Sequence, residues 1–280
     1  MSIFGSNYDR AGSGISKPEP TKKPFFQFCD IYGRRFWKML ELSILTFVCC
    51  IPIVTIGPAF TGMTTVLRQY ALDKNSFLWH DFWKGFRQNW KQSLPIGIAD
   101  VIIALSVICS MEVYPAYADA DPDHSFIWYL LCAVSVGVGI IMLMMNFYIF
   151  PMIAAIDLNL KKIIKNSFFL ACLALKKNLL TLLCLALVAF ISIVMFYVTP
   201  VSIILFPIWT LSFAGFIIVF NSYPMIQKYV VNPYYEAQGR DNPEYDYLKP
   251  LGEEETVFND MGGKEKPVEG KNKKKGKTIS

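Results

Sequence analysis

The chain has 280 residues, 54% of them hydrophobic, with 22 phenylalanines, a mean hydropathy of +0.37 and a formal net charge of +5. A soluble domain carries about 45–50% apolar residues; here the excess gathers into windows near the ~20 residues that cross a bilayer. This excludes an ordinary soluble domain, and the lack of alternating strand-length patterns excludes a membrane barrel, leaving an all-α polytopic membrane protein in which helices pair every backbone group.

Residues 1–23 are polar, with Pro18, Glu19, Pro20, Lys22 and Lys23, and lack the central apolar segment of a cleaved signal peptide. They are expected to form a cytoplasmic N-terminus. A helical membrane region is expected over 24–231, with five to six membrane segments.

The first apolar run, Phe36–Phe60, is interrupted by Pro52, Gly57 and Pro58. Arg and Lys gather at the cytoplasmic ends of spans, and they occur both just before and at the start of this run (Arg34, Arg35, Lys38) and after it (Arg68, Lys74, Lys84). A single crossing would separate two basic blocks, whereas a hairpin keeps them on one side. The stretch "IPIVTIGPAF", which includes Thr55, supplies the turn, because a residue before proline is pushed away from helix. Gly57 and Pro58 are expected at the turn, with Phe36–Ile51 running out and Pro58–Ala71 returning.

Each arm spans only ~21–24 Å at 1.5 Å per residue, so whether the hairpin fully crosses is open. The returning arm contains Thr61, Thr64, Thr65 and Arg68. It suits contact with other helices better than lipid, since Thr hydroxyls can bond to backbone. Glu41 and Arg68 lie at similar distances from the turn. They are expected either to pair at the base of the hairpin or to reach headgroup water separately.

In "FLWHDFWKGFRQNWKQS", Trp79, Trp83, Phe86 and Trp90 follow helical spacing beside Lys84, Arg87 and Lys91. This predicts one amphipathic helix at the membrane surface, not a nucleic-acid site. The next span, Leu94–Tyr114, carries Asp100. An intramembrane carboxylate is a functional candidate; it either holds a proton or cation or pairs with a Thr or Lys of another helix or subunit. The loop Ala116–Ser125 holds Asp119, Asp121 and Asp123 and no Lys or Arg, so it is expected outside.

The span Phe126–Phe150 contains Ala133-xxx-Gly137 and Ser135-xxx-Gly139, pairs of small residues that permit close helix packing. Asp157–Asn178 reads as a second, Lys-rich surface helix. Two further spans follow, Leu179–Thr199 and Val201–Phe220, linked around Pro200. Residues 232–280 lack a core-forming apolar pattern and are expected to be a disordered, charged cytoplasmic tail.

No chemistry-bearing motif is present. There is no P-loop, no H-E-x-x-H, no G-x-G-x-x-G and no G-x-S-x-G. Two histidines and seven cysteines without a C-x-x-C pair make a metal site unexpected. The chain is expected to be neither an enzyme nor a cofactor protein.

Three stretches carry a resemblance: "IPIVTIGPA" at 51–59, "HDFWKGFRQNWKQS" from His80, and "AAIDLNLKKIIKNSFFLA" from Ala154. Together they resemble the YesL-like family of Gram-positive bacterial membrane proteins, a domain of unknown function, over roughly residues 24–232. The resemblance implies a plasma-membrane helical protein, often encoded near carbohydrate importers of the ATP-binding-cassette (ABC) class, and carries over no catalytic residue. Two functions follow as expectations. One is an accessory or regulatory subunit whose partners are the bilayer and ABC permease subunits. The other is an independent small-solute or ion carrier or channel, with Asp100 and the Pro52–Pro58 break lining its path. The candidate positions are Pro52, Thr55, Gly57, Pro58, Glu41, Arg68 and Asp100.

Overall fold

A computed structural model describes residues 24–199 and 202–237, with a few positions beyond (239, 242, 244, 258–259 and 266–267). Residues 1–23 and most of the charged tail lie outside the described residues, as does the Pro200 link. The chain divides into two units: Phe28–Asn242, and Met1–Gln27 together with Pro243–Ser280. Of the second, the structure describes little beyond the first turn of α1 and a two-residue antiparallel ladder, Phe258–Asn259 with Lys266–Pro267.

The larger unit is helical. In chain order the helices are α1 (Pro24–Arg34), α2 (Phe36–Cys50), α3 (Ile56–Ala71), α4 (Leu78–Gln88), α5 (Trp90–Ala120), α6 (Ser125–Ala155), α7 (Leu160–Leu173), α8 (Leu175–Val198), α9 (Ser202–Ile226) and α10 (Asn232–Ala237). A π-helical turn, Gln227–Val231, joins α9 to α10. Helix thus continues six residues past the expected start of the tail at 232. Among the described residues four helical segments are long and apolar enough to cross a membrane: Trp90–Ala120, Pro122–Ala155, Leu175–Val198 and Ile208–Ala237. The first three cover nearly all of the corresponding spans read from sequence, and the fourth overlaps the expected Val201–Phe220 span only from Ile208 onward.

The hairpin of α2 and α3 is present, with its turn earlier than expected. Pro52 is extended (φ −75°, ψ 120°), and a single 3-10 turn, Ile53–Thr55, reverses the chain. Thr55 closes it: its hydroxyl donates to the carbonyls of Cys49 (2.6 Å) and Pro52 (2.8 Å). Gly57 and Pro58 are not the turn. They are buried in the first turn of α3, where proline costs no helical hydrogen bond.

The returning arm is the centre of the fold. α3 packs against α2, α4, α5, α6 and α9. It buries Ala59, Met63, Val66, Leu67 and Tyr70 together with its threonines Thr61 and Thr64. The threonines bond within the helix as expected: Thr61 to Gly57 O, and Thr64 and Thr65 to Thr61 O. Glycines set the closeness of its neighbours. A Cβ on Gly57 would lie 2.0 Å from Ser93 O of α5, and one on Gly85 of α4 would lie 2.3 Å from Thr65 Oγ1.

The two surface helices are each divided. Asn89 takes a bridge-region conformation (φ −108°, ψ 8°), so α4 ends at Gln88 and Trp90 belongs to α5. Ala174 does the same between α7 and α8 (φ −98°, ψ 31°), so Lys176, Lys177 and Asn178 open α8. A buried network fixes this second corner. Tyr148 of α6 donates to Asn178 Oδ1, whose Nδ2 donates to Ala171 O of α7 at 2.9 Å.

The small-residue pairs of α6 divide by face. Ser135 hydrogen-bonds Ser110 of α5 at 2.7 Å, and a Cβ on Gly139 would come 2.8 Å from Val107 Cγ2. Gly137 faces open space. Elsewhere α5, α6 and α8 expose rows of Ile, Leu, Val and Phe, the surface that faces lipid.

Candidate functional site

Asp100 is half-buried in α5, about 15 Å along the helix from Trp90 at 1.5 Å per residue. Its partner is an amide on α6: Asn146 Nδ2 donates to Asp100 Oδ1 at 2.7 Å. Asn146 Oδ1 is buried with no hydrogen-bond partner. Both residues line a partly open cavity of about 400 Å³ whose walls come from α3, α5, α6, α8 and α9. Thr64 is the remaining polar side chain on its wall, and the rest is apolar, including Phe60, Phe147, Phe150, Leu185 and Leu211. The sequence flags Asp100 and omits Asn146. The available signal was an amide standing alone within the apolar window Phe126–Phe150.

Beside this cavity α9 comes close to α3. Gly215 of α9 faces α3 so tightly that a Cβ there would lie 2.7 Å from Met63 Cε and 2.8 Å from Leu67 Cδ1. Beside it, Ser212 and Ser43 tie α9 to α2. Ser43 Oγ donates to Ser212 Oγ (2.8 Å), and Ser212 Oγ donates to Met39 O (2.7 Å).

Among the described residues no ion pair is seen between Glu41 and Arg68. Glu41 is on the exposed face of α2, since that helix buries Met39, Leu42, Ser43, Leu45 and Thr46. Arg68 instead places its guanidinium 5.8 Å from the centre of the Tyr223 ring on α9. The base of the hairpin is held by Asp73, which accepts from Arg34 (3.0 Å) and Arg35 (2.9 Å). Asp73 has φ 53°, a left-handed conformation that Asp tolerates better than most residues. Arg35 also lies 4.6 Å from the centre of the Tyr70 ring, and its side chain is only 13% exposed. The bond to Asp73 holds the Arg34 guanidinium above its ordinary pKa. Pairing follows reach across the turn between α3 and α4, which equal spacing from Pro52 and Pro58 does not capture.

A second feature lies on α4. The helix anchors Leu78, Phe82 and Gly85 inward and turns Trp79, His80, Trp83, Lys84, Arg87 and Gln88 onto a shallow surface groove. Arg87 lies over the Trp83 ring at 5.5 Å. Asp81 fixes the start of this helix, accepting from Ser76 Oγ (2.7 Å) and the Phe77 N–H (3.1 Å). Burial pushes its carboxyl up, but the bonds from Ser76, His80 and Phe77 outweigh that and hold it below the ordinary carboxylate value.

Among the described residues no group of three or more His, Cys, Asp or Glu is placed to hold a metal. All seven cysteines are free thiols.

A family described as "Protein of unknown function, DUF624" matches residues 39–111. That segment holds most of α2, all of α3 and α4, and α5 past Asp100. The chain is also similar to the uncharacterized protein YesL of Bacillus subtilis (strain 168), with 26% identity over 160 residues, 56% of this chain and 71% of that protein. No solved structure matches. These similarities agree with the YesL-like resemblance carried by the sequence motifs.

Proposed function

We propose that this YesL-like chain works as a non-catalytic subunit in the cell membrane, docking through α4 onto the permease of a carbohydrate importer of the ABC class. The observation that carries the reading is the α4 groove. One face of α4 is locked onto α3 by the Gly62 and Gly85 contacts, while the other presents Trp79 at 61% exposure beside Lys84 and Arg87. Aromatic and Arg side chains on a rigid element are what protein interfaces use as anchors.

Orientation is part of the proposal, with α4 and both termini cytoplasmic. The Asp73 pairs hold the α1–α2 junction beside the α3–α4 turn, and Gln92 Nε2 donates to Leu158 O at 3.2 Å. These bonds draw the Lys- and Arg-bearing segments toward one end of the helices, as the positive-inside rule favours for a cytoplasmic end. The end of α5 with Asp119, and the turn with Asp121 and Asp123, then lie outside.

The cavity supports a sugar path poorly. Sugar hydroxyls out of water need hydrogen-bond partners, and the walls offer Asp100, Asn146 and Thr64 among apolar side chains. A photo-crosslinking residue at Trp79, in full-length protein in native membranes, should capture an ABC permease subunit, while the same residue at Phe126 should not. Sugar flux through liposomes containing this protein alone would overturn the reading.

A further inference from the structure

The geometry points to the Asp100–Asn146 cavity as a binding site for a small amphiphilic primary amine. This goes beyond the docking role and does not depend on it. Three observations converge. Asp100 brings a carboxylate to an otherwise apolar wall, and Asn146 neutralises none of its charge. Asn146 Oδ1 is buried without a donor, although buried acceptors are generally satisfied. The space, about 400 Å³, is in the range of small-molecule sites.

A ligand that satisfies both groups needs a positive charge and more than one N–H. A primary ammonium has three. One N–H meets Asp100, and a second reaches Asn146 Oδ1 once the amide turns that buried oxygen toward the cavity, while an apolar body fills the space between Phe60, Phe147 and Leu211. A bare metal cation fits less well, because hard cations require six or more oxygen ligands and the lining supplies few. A quaternary ammonium carries the charge but has no N–H for Asn146. An aminophospholipid headgroup is disfavoured by depth, since Asp100 lies about 15 Å into α5 from Trp90. The occupant is therefore a free amine.

The test uses full-length protein in nanodiscs of phosphatidylcholine and phosphatidylglycerol, with equilibrium binding of 4-phenylbutylamine. The probe is compared with 4-phenylbutanol and N,N,N-trimethyl-4-phenylbutylammonium. Saturable binding of the amine, at least about tenfold tighter than both analogues, is expected from one charged and one neutral hydrogen bond. Asp100→Asn should remove the preference over the alcohol, and Asn146→Leu the preference over the trimethylated form. Ala214→Phe, which fills the cavity from α9, should abolish binding while leaving the elution profile and Tm of a folded protein. If either the Asp100 or the Asn146 variant fails to fold, the wild-type comparison of amine, alcohol and trimethylated analogue still decides. Adding phosphatidylethanolamine to the nanodiscs should not compete; competition would assign the site to the lipid and overturn the free-amine assignment. Equal affinity for amine and alcohol, or unchanged amine binding in both Asp100→Asn and Ala214→Phe, would overturn the site.

Discussion

Gly57 of α3 and Gly97 of α5 meet backbone to backbone. A Cβ on Gly97 would lie 2.5 Å from the Gly57 nitrogen, and one on Gly57 would lie 2.0 Å from Ser93 O. No rotamer change relieves either clash, because the opposing atoms are main chain. This contact places Asp100, three residues after Gly97, against the cavity.

Gly57→Ala and Gly97→Ala should each destabilise the protein by about 1–3 kcal/mol, the usual range for overpacking. Gly137→Ala should be neutral or stabilising by up to about 1 kcal/mol, since open space surrounds Gly137 and Ala is the better helix former. Thermal unfolding in a single detergent checks the contrast. Equal effects at Gly57 and Gly137 would contradict the close crossing.

At the hairpin base, Arg35→Gln should cost more than Arg34→Gln. Arg35 is 13% exposed and lies over Tyr70, whereas Arg34 is 53% exposed. The exposed pair is worth roughly 0–1 kcal/mol, and loss of the less exposed one also forfeits the ring contact. High salt should narrow the difference between wild type and Arg34→Gln more than that between wild type and Arg35→Gln.

Asp81 predicts a pH dependence. Its folded pKa is below the ordinary value, so its contribution to stability is present above the unfolded pKa of about 4 and is lost as pH falls through the folded value. Asp81→Ala should lower Tm near neutral pH, and the gap from wild type should close at acidic pH. A gap that widened on acidification would refute the assignment.

Tyr148→Phe should leave Asn178 Oδ1 buried without its donor, at a cost of about 1–3 kcal/mol. Adding Asn178→Leu removes the stranded acceptor and should recover part of the loss. Strict additivity of the two changes would show that the residues are not coupled.

Orientation is checked by cysteine labelling in intact cells, in a chain with its seven native cysteines replaced. Asp121→Cys should react with an impermeant reagent, and Lys84→Cys only after lysis. The reverse pattern would invert the proposed topology.

The spans and the hairpin are legible in the sequence because lipid imposes length and apolarity and charge reports sidedness. The central place of α3 is legible too, since Thr61, Thr64 and Thr65 suit protein contact better than lipid. What escapes is pairing across the fold. Arg35 finds Asp73 and Asn146 finds Asp100 because of packing angles set by contacts such as Gly57–Gly97, which no local pattern encodes. The two surface helices end at Asn89 and Ala174, where an apolar spacing that continues through the break conceals it.

The burial of α3 also bears on the order in which the protein is made. α2 and α3 emerge from the ribosome early, yet neither is among the helices long and apolar enough to hold a membrane position by themselves. The surface that finally encloses α3 includes α9, whose Gly215 packs on Met63 and Leu67. Until synthesis passes residue 226, the threonines and glycines of α3 lack one wall. A nascent chain stalled before α9 would therefore offer the insertion machinery and membrane proteases a centre that lacks its α9 wall.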